Sequence, residues 1–456
     1  MTGKPANPGG SPAGKPAPVS EVDSAYAWIR LVAAVCLGTL GGVGLWSIVV
    51  ALPVVQAEFG TLRAGASLPY TLTTIGFAIG GVFMGRLADR FGVMVPVILG
   101  TVMLSAGYVA TAFATSMGGF ALIYGGMIGL LGSCALFGPL VADASLWFSR
   151  RRGLAVSLCA SGNYFAGAFW PPILQHFIET VGWRQTHVGV GIFCLVTMLP
   201  LALVLRRRPP MQAANPARLP GGRQRGTLLS PGISPGLSPE IPPGRTLGGL
   251  SPNALQALLM FAGVSCCVAM AMPQVHIVAY CVDLGYGAAR GAEMLSLMLA
   301  CGVVSRLASG WILDRIGSRA TLLLGATLQA VALALFLPFD GLVSLYVVSA
   351  VFGLFQGGII PSYAIIVREA FPPQEAGLRV GLVLSSTLVG MAIGGWMSGA
   401  IFDATGSYQA AVLNGLAWNG LTMAIALWLL LRGRPKGKPK GGLGFRAGQG
   451  SPILQG

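Results

Sequence analysis

GRLADRFG, from Gly85 to Gly92, and GWILDRIG, from Gly310 to Gly317, are two copies of one pattern, G-x-x-x-D-R-x-G, each closing a long apolar segment. Gly310 stands 225 residues after Gly85, about half of the 456-residue chain. A charged turn placed this way marks a short link between two membrane-spanning helices, and its recurrence divides the chain into two equivalent halves. The duplication extends past the turns. GLAVSLCASGNYFAGAFWPPILQHFIETVGWRQ from Gly153 aligns without gaps on GLRVGLVLSSTLVGMAIGGWMSGAIFDATGSYQ from Gly377, matching Ser161 with Ser385, Glu179 with Asp403, Gly182 with Gly406 and Gln185 with Gln409. The offsets, 225 and 224 residues, differ by one, so the repeat is parallel and six helices long.

Hydrophobic residues make up 54% of the chain and charged residues only 9%, against roughly 25% charged in soluble domains. A soluble core does not account for that balance. A lipid-spanning helix needs about 20 apolar residues, and twelve such runs are present. They are helices 1 to 12, at about 28–53, 64–86, 93–113, 118–147, 153–178, 184–205, 254–281, 290–313, 319–337, 341–367, 376–402 and 408–431. The formal charge of +15 is compatible with nucleic acid or an anionic membrane surface, so the placement of the cations decides between them. With a cytoplasmic N-terminus, 25 of the 29 Lys and Arg residues fall in inner segments. Arg63, Arg184 and Arg290 fall in outer loops, and Arg306 lies within a helix. This is the positive-inside asymmetry; it calls for no nucleic acid and puts both termini and the middle loop in the cytoplasm.

The expected organisation is a disordered cytoplasmic tail (1–25), an N-terminal six-helix bundle (26–205), a cytoplasmic linker (206–252), a C-terminal six-helix bundle (253–431) and a second disordered cytoplasmic tail (432–456). Met1 to Ser20 contains no apolar h-region and does not read as a signal peptide. The eight cysteines all fall in or beside predicted spans without metal-ligand spacing, as small hydrophobes do. The 67 glycines are about twice the usual roughly 7%. Between helices in lipid, small residues are what allow close approach. Gly125 with Gly129, Gly390 with Gly394, and Gly395 with Gly399 have that spacing.

The paired turn resembles the signature loop between helices 2 and 3 of the major facilitator superfamily and its echo between helices 8 and 9, a resemblance that covers essentially the whole chain. Gly85 and Gly310 are expected to permit close helix contact, and Asp89 and Asp314 to accept from a helix N-terminus or pair with a cation. The candidate partners are Arg379 for Asp89, Asp143 for Arg90, Arg151 or Arg152 for Asp314, and Glu369 for Arg315. With Gly92 and Gly317 these groups form a cytoplasmic gate, latched in the outward-open state; a solvated turn is the alternative.

Arg306 lies eight residues before Asp314, about 12 Å above the turn at 1.5 Å per residue and near the middle of a core roughly 30 Å thick. A cation there faces a cavity or a partner rather than lipid. Its helix face, Gly302, Ser305, Arg306, Ser309 and Gly310, is small and polar. A structural salt bridge needs an acid at similar depth, and Asp143 alone reaches inward; the other carboxylates fall near helix ends. Arg306 is therefore assigned to a substrate anion, and its fork suits a carboxylate. Asn163, Tyr164, Gln356 and Ser385, with Ser386, lie near mid-depth and could complete a pocket or bond between helices. The arginine is similar to the carboxylate-binding arginine of the monocarboxylate transporters and oxalate/formate antiporters, and WFSRRRGLAVSLCASGNYFAG, Trp147 to Gly167, resembles their approach to helix 5. Two positions differ. Gly302 stands where the animal carriers have an acid one turn before the arginine, and neither helix 1 nor helix 11 holds a mid-span cation where those families carry a lysine. One buried positive charge favours a monoanion.

The reading is an all-α membrane protein of twelve transmembrane helices in two six-helix bundles, the major facilitator fold. The resemblance implies a secondary active transporter moving a small monocarboxylate across the cytoplasmic membrane by alternating access, with Arg306 holding the carboxylate. Its partners are a small organic anion and the lipid bilayer, with a coupling proton or an exchanged anion left open. No G-x-x-x-x-G-K-S/T loop implies a nucleotide. His176, His187 and His276 form no H-E-x-x-H or nucleophile-base arrangement, so no enzyme, metal or other cofactor is expected. The alternatives are an exporter of drugs or other amphipathic solutes and, in another class, a non-transporting sensor or membrane-embedded enzyme.

Overall fold

In lipid every backbone polar group must be satisfied within the protein, which leaves helices as the way to run twelve apolar segments side by side. The computed structural model describes residues 22–207 and 250–432, apart from the side chains of Arg152, Pro373 and Gln374. The expected tails and linker lie almost wholly outside them. The described residues contain no strand.

Helices 1 to 6 run Ala25–Phe59, Arg63–Phe91, Met94–Ala112, Met117–Trp147, 152–181 and Trp183–Val204. Helices 7 to 12 run Pro252–Asp283, Ala288–Ile316, Ser318–Ala334, Leu342–Ala370, Pro373–Thr405 and Tyr408–Arg432. Among the described residues ten helices are long and apolar enough to cross a membrane, Ser318–Ala334 is a shorter apolar helix, and helix 5 is interrupted at Ser161. The repeated turns, with both ends of the described chain, mark one face of the bundle, here the motif face.

The two turns have the same backbone. Gly92 sits at φ 88°, ψ 162° and Gly317 at φ 83°, ψ 161°, a left-handed region that a side chain disfavours. Each N–H donates back to its helix, to Ala88 O at 2.8 Å and Leu313 O at 2.9 Å. Gly85 and Gly310 differ from expectation. A Cβ on either would meet no atom within 4 Å, because the neighbouring helices stand apart there.

The close approaches lie elsewhere. A Cβ at Gly129 would fall 2.6 Å from the carbonyl oxygen of Thr73, and one at Gly390 or Gly394 2.5–2.6 Å from the carbonyls of Val264 or Val268. Bare backbone is therefore what allows helix 4 to lie on helix 2 and helix 11 on helix 7. Helix 4 also departs from the regular helix expected over 118–147. Its glycine-rich centre widens into π turns over Tyr124–Gly132, then tightens to a 3₁₀ turn over Ser133–Leu136. Such irregular turns mark functional sites often enough to notice, and this one brings Cys134, Phe137 and Gly138 to the wall of a central cavity.

One expected contact is corrected. Asp143 does not meet Arg90; it is buried against Arg30 of helix 1, with Nε to Oδ2 at 2.7 Å and Nη2 to Oδ1 at 2.9 Å. The Arg30 guanidinium also lies 4.7 Å from the Trp147 ring centroid. Helices 1 and 4 pack together here, so a carboxylate removed from water takes the guanidinium already beside it. Breaking a buried pair from one side typically costs about 3–5 kcal/mol, whereas replacing both partners by apolar groups is often neutral. Arg30→Leu is accordingly expected to lower the melting temperature of the purified protein sharply. The Arg30→Met/Asp143→Leu double variant recovers most of the loss in the same measurement.

Candidate functional site

Helices 2 and 11, from opposite halves, lie in contact at the face away from the repeated turns. Gly399 rests on the backbone of Arg63 and Ala64, Gly395 on the Tyr70 ring, and Thr71 Oγ1 donates to Ala392 O at 3.2 Å. Nearer the motif face they part, and Thr74, Phe77 and Gly81 of helix 2 face Gly381, Ser385 and Leu388 of helix 11 across a cavity of about 390 Å³. Helices 1, 4, 5, 7, 8 and 10 supply the other walls.

Arg306 lines this cavity. Its Nη1 donates to the carbonyl of Ala160 at 3.2 Å, and its guanidinium carbon lies 4.4 Å from the centroid of the Tyr164 ring. The first contact lies at the interruption of helix 5. The segment Arg152–Ala160 ends at Ala160, and the last carbonyls of a helix carry unsatisfied acceptors and partial negative charge. Arg306 meets that end. Cation–π contact with Tyr164 adds a second, uncharged partner. Among the described residues Arg306 makes no ion pair, and its Nε is buried without a hydrogen-bond partner. A full positive charge thus faces the cavity, held by a carbonyl and a ring.

Gly302, one turn before Arg306, has a specific reason to be glycine. A Cβ there would lie 2.6 Å from Cε1 of Tyr164. The ring that holds the guanidinium occupies the space in which an acidic side chain at this position would stand.

Asn163, Tyr164 and Ser385 line the same cavity. Gln356 does not: it is buried behind the wall, where its Oε1 accepts from Gln274 Nε2 at 2.6 Å, and it is Gln274 of helix 7 that lines the cavity. Trp46 of helix 1 is a second wall residue, its Nε1 donating to Asn163 O at 3.1 Å. Sequence reasoning missed both. A lone glutamine two residues before His276 was the available signal. His276 itself bonds to Tyr408 Oη at 3.1 Å and Gly395 O at 2.8 Å, a packing role.

The face away from the motifs is closed by charges that pattern reading had scattered among loops and helix ends. Arg63, the first residue of helix 2, is buried and pairs through Nη2 with Asp283 at the end of helix 7, at 2.8 and 3.0 Å. Asp403 of helix 11 accepts from the backbone N–H groups of Arg63 and Ala64, both at 2.8 Å, a carboxylate capping a helix N-terminus. The guanidinium of Arg63 also covers Phe402 at 4.8 Å. This cluster joins the two halves. At the motif face Asp89, Arg90, Asp314 and Arg315 are exposed, Arg379 pairs with Glu375 four residues before it, and Glu369 accepts from Ser318. Among the described residues the expected latching groups are therefore unengaged with one another while the opposite face is shut.

The Major Facilitator Superfamily model matches residues 34–344 and 257–452, essentially the helical chain. The chain belongs to that superfamily. Monocarboxylate transporter 13 of Rattus norvegicus is 28% identical over 356 residues, covering 76% of this chain and 74% of that protein. Monocarboxylate transporter 11 of Homo sapiens is 27% identical over 414 residues, covering 87% and 82%. Among solved structures, the nucleoside transporter NupG superposes with a TM-score of 0.65 over 89% of this chain and 99% of that one, at 14% identity, a likeness of fold.

Removing the cluster that holds the two halves together at this face favours their separation there, and about 1–2 kcal/mol is a factor of roughly 5–30 in population. In a cysteine-depleted background carrying Thr74→Cys, Arg63→Ala is expected to raise labelling by a membrane-impermeant maleimide applied from the face away from the motifs by about fivefold or more. Asp283→Asn acts in the same direction.

Proposed function

We propose that this major facilitator protein moves a small monocarboxylate across the cytoplasmic membrane by alternating access, with Arg306 binding the carboxylate. The observation that carries the reading is the guanidinium in the central cavity without a carboxylate partner among the described residues. An intramembrane charge in that state belongs by default to function, and an anionic cargo completes it. Bidentate donation from the fork fixes the orientation of a carboxylate as well as its charge. The Tyr164 hydroxyl and the Asn163 amide, both on the cavity wall and without a hydrogen-bond partner among the described residues, are donors available beside it. Relatives named as monocarboxylate transporters support the same cargo class.

The positive-inside asymmetry places the motif face in the cytoplasm, so this conformation is open inward. Return to the outward-open state breaks the Arg63 cluster and brings the Asp89/Arg90 and Asp314/Arg315 turns into their latching contacts, with Arg379 and the arginines before helix 5 as partners. The predominantly apolar walls of the cavity favour a second reading, an exporter of drugs or other amphipathic solutes.

Uptake of a panel of labelled carboxylates into proteoliposomes tests the assignment. Hydrogen bonds to charged groups contribute about 1.5–3 kcal/mol, and 1.4 kcal/mol is tenfold in affinity. Arg306→Lys keeps the charge without the fork and is expected to weaken transport about tenfold, and Arg306→Gln about a hundredfold. Carboxylate uptake unchanged in both variants contradicts the assignment.

A further inference from the structure

Beyond Arg306, the Tyr164 hydroxyl and Asn163 amide beside it and the Ser385 hydroxyl, the polar groups of the cavity wall are already engaged. Thr74 Oγ1 donates to the carbonyls of Tyr70 and Thr71, both at 3.0 Å, and Thr387 Oγ1 to Leu384 O at 2.6 Å. Gln274 and Trp46 are engaged with Gln356 and Asn163, and Cys134 Sγ bonds Leu130 O at 2.8 Å. These wall groups are turned to the protein itself. Between them lie Leu45, Phe77, Met270, Leu299, Leu388 and Met391. A hydroxyl or keto oxygen taken from water into such a region loses hydrogen bonds without replacing them, whereas a hydrocarbon gains.

The size of the space agrees. A cavity of about 390 Å³ is far larger than the three heavy atoms of a carboxylate need. The internal repeat shows where the room comes from. At the offset of 225 residues that relates the two turns, the counterpart of Arg306 is Gly81. Gly81 lines the same cavity, and a Cβ added there would meet no atom within 4 Å. One half supplies a charge where the other supplies empty space.

Building on the carboxylate assignment of Arg306, we propose that the cargo is a monocarboxylate bearing an apolar chain or aromatic ring rather than a two- or three-carbon acid. The carboxylate meets Arg306 and the tail lies across the cavity along its apolar walls, toward helix 2 and the open space at Gly81.

Calorimetric titration of acetate, butanoate, hexanoate, 3-phenylpropanoate and the neutral amide hexanamide into the full chain in lipid nanodiscs, with empty nanodiscs subtracted, tests this. Affinity is expected to rise roughly fourfold per methylene from acetate to hexanoate, with 3-phenylpropanoate at least as tight as hexanoate and hexanamide weaker than hexanoate by about tenfold or more. In Gly81→Leu the added side chain occupies the tail space, so the advantage of hexanoate over acetate collapses while acetate itself changes by less than about twofold. Acetate binding as tightly as hexanoate in the wild-type protein overturns the tail and leaves the carboxylate assignment standing. So does a Gly81→Leu variant that weakens every acid equally. Hexanamide binding as well as hexanoate, or no acid binding at all, overturns the carboxylate assignment and the tail with it.

Discussion

The cost of taking a guanidinium out of water governs how three arginines of this protein are placed, and through them how the helices are arranged. Arg30 is neutralised by Asp143 in a two-bonded pair inside the N-terminal half. Arg63 is neutralised by Asp283 and, through the helix end it begins, by Asp403, so its compensation joins the two halves. Arg306 has only the carbonyl of Ala160 and the face of Tyr164. Partial charges of this kind orient a cation without cancelling it, because a helix end carries about half an elementary charge at most. The first pair contributes to the architecture of one bundle, the second joins the halves at the closed face, and the third leaves an uncompensated charge facing the cavity.

Backbone geometry makes that arrangement possible. Arg306 finds its carbonyl because helix 5 is interrupted at Ser161, and finds its ring because Gly302 leaves room for Tyr164. The π turns of helix 4 and the bare glycines at 125, 129, 390 and 394 let helices press together where the cavity ends. Gly85 and Gly310 stand clear on the open side. Contact at one face with separation at the other is how two rigid bundles expose a central site to one side at a time.

The internal repeat is retained in the backbone and discarded in the chemistry. Gly92 and Gly317 take nearly the same φ and ψ, as their turns require. Gly81 and Arg306, equivalent by position, face one cavity with opposite contributions. A symmetric site would carry two cations and suit a dianion; this one carries a single charge and a volume of hydrocarbon wall.

Much of this was legible in the chain. Apolar runs of about 20 residues force helices because lipid offers no partner to an open backbone, and the duplicated G-x-x-x-D-R-x-G turn ordered them into two halves. Arg306 stood out because a charge in the middle of an apolar run has no bland explanation, and Asn163, Tyr164 and Ser385 followed from their depth. Pairing was not legible. Asp143 reads as a partner for Arg90 and not for Arg30, Arg63 reads as an outer-loop cation, and Gln274 is hidden by Gln356 behind it. Those choices are made by contacts between residues more than 80 positions apart, where a turn of a helix or a glycine's missing side chain decides which group lies within about 3 Å of which. Local sequence thus determined what each segment must be and where it must stop. Only packing decided which charges cancel, because electrostatic compensation depends on distance across helices and not along the chain.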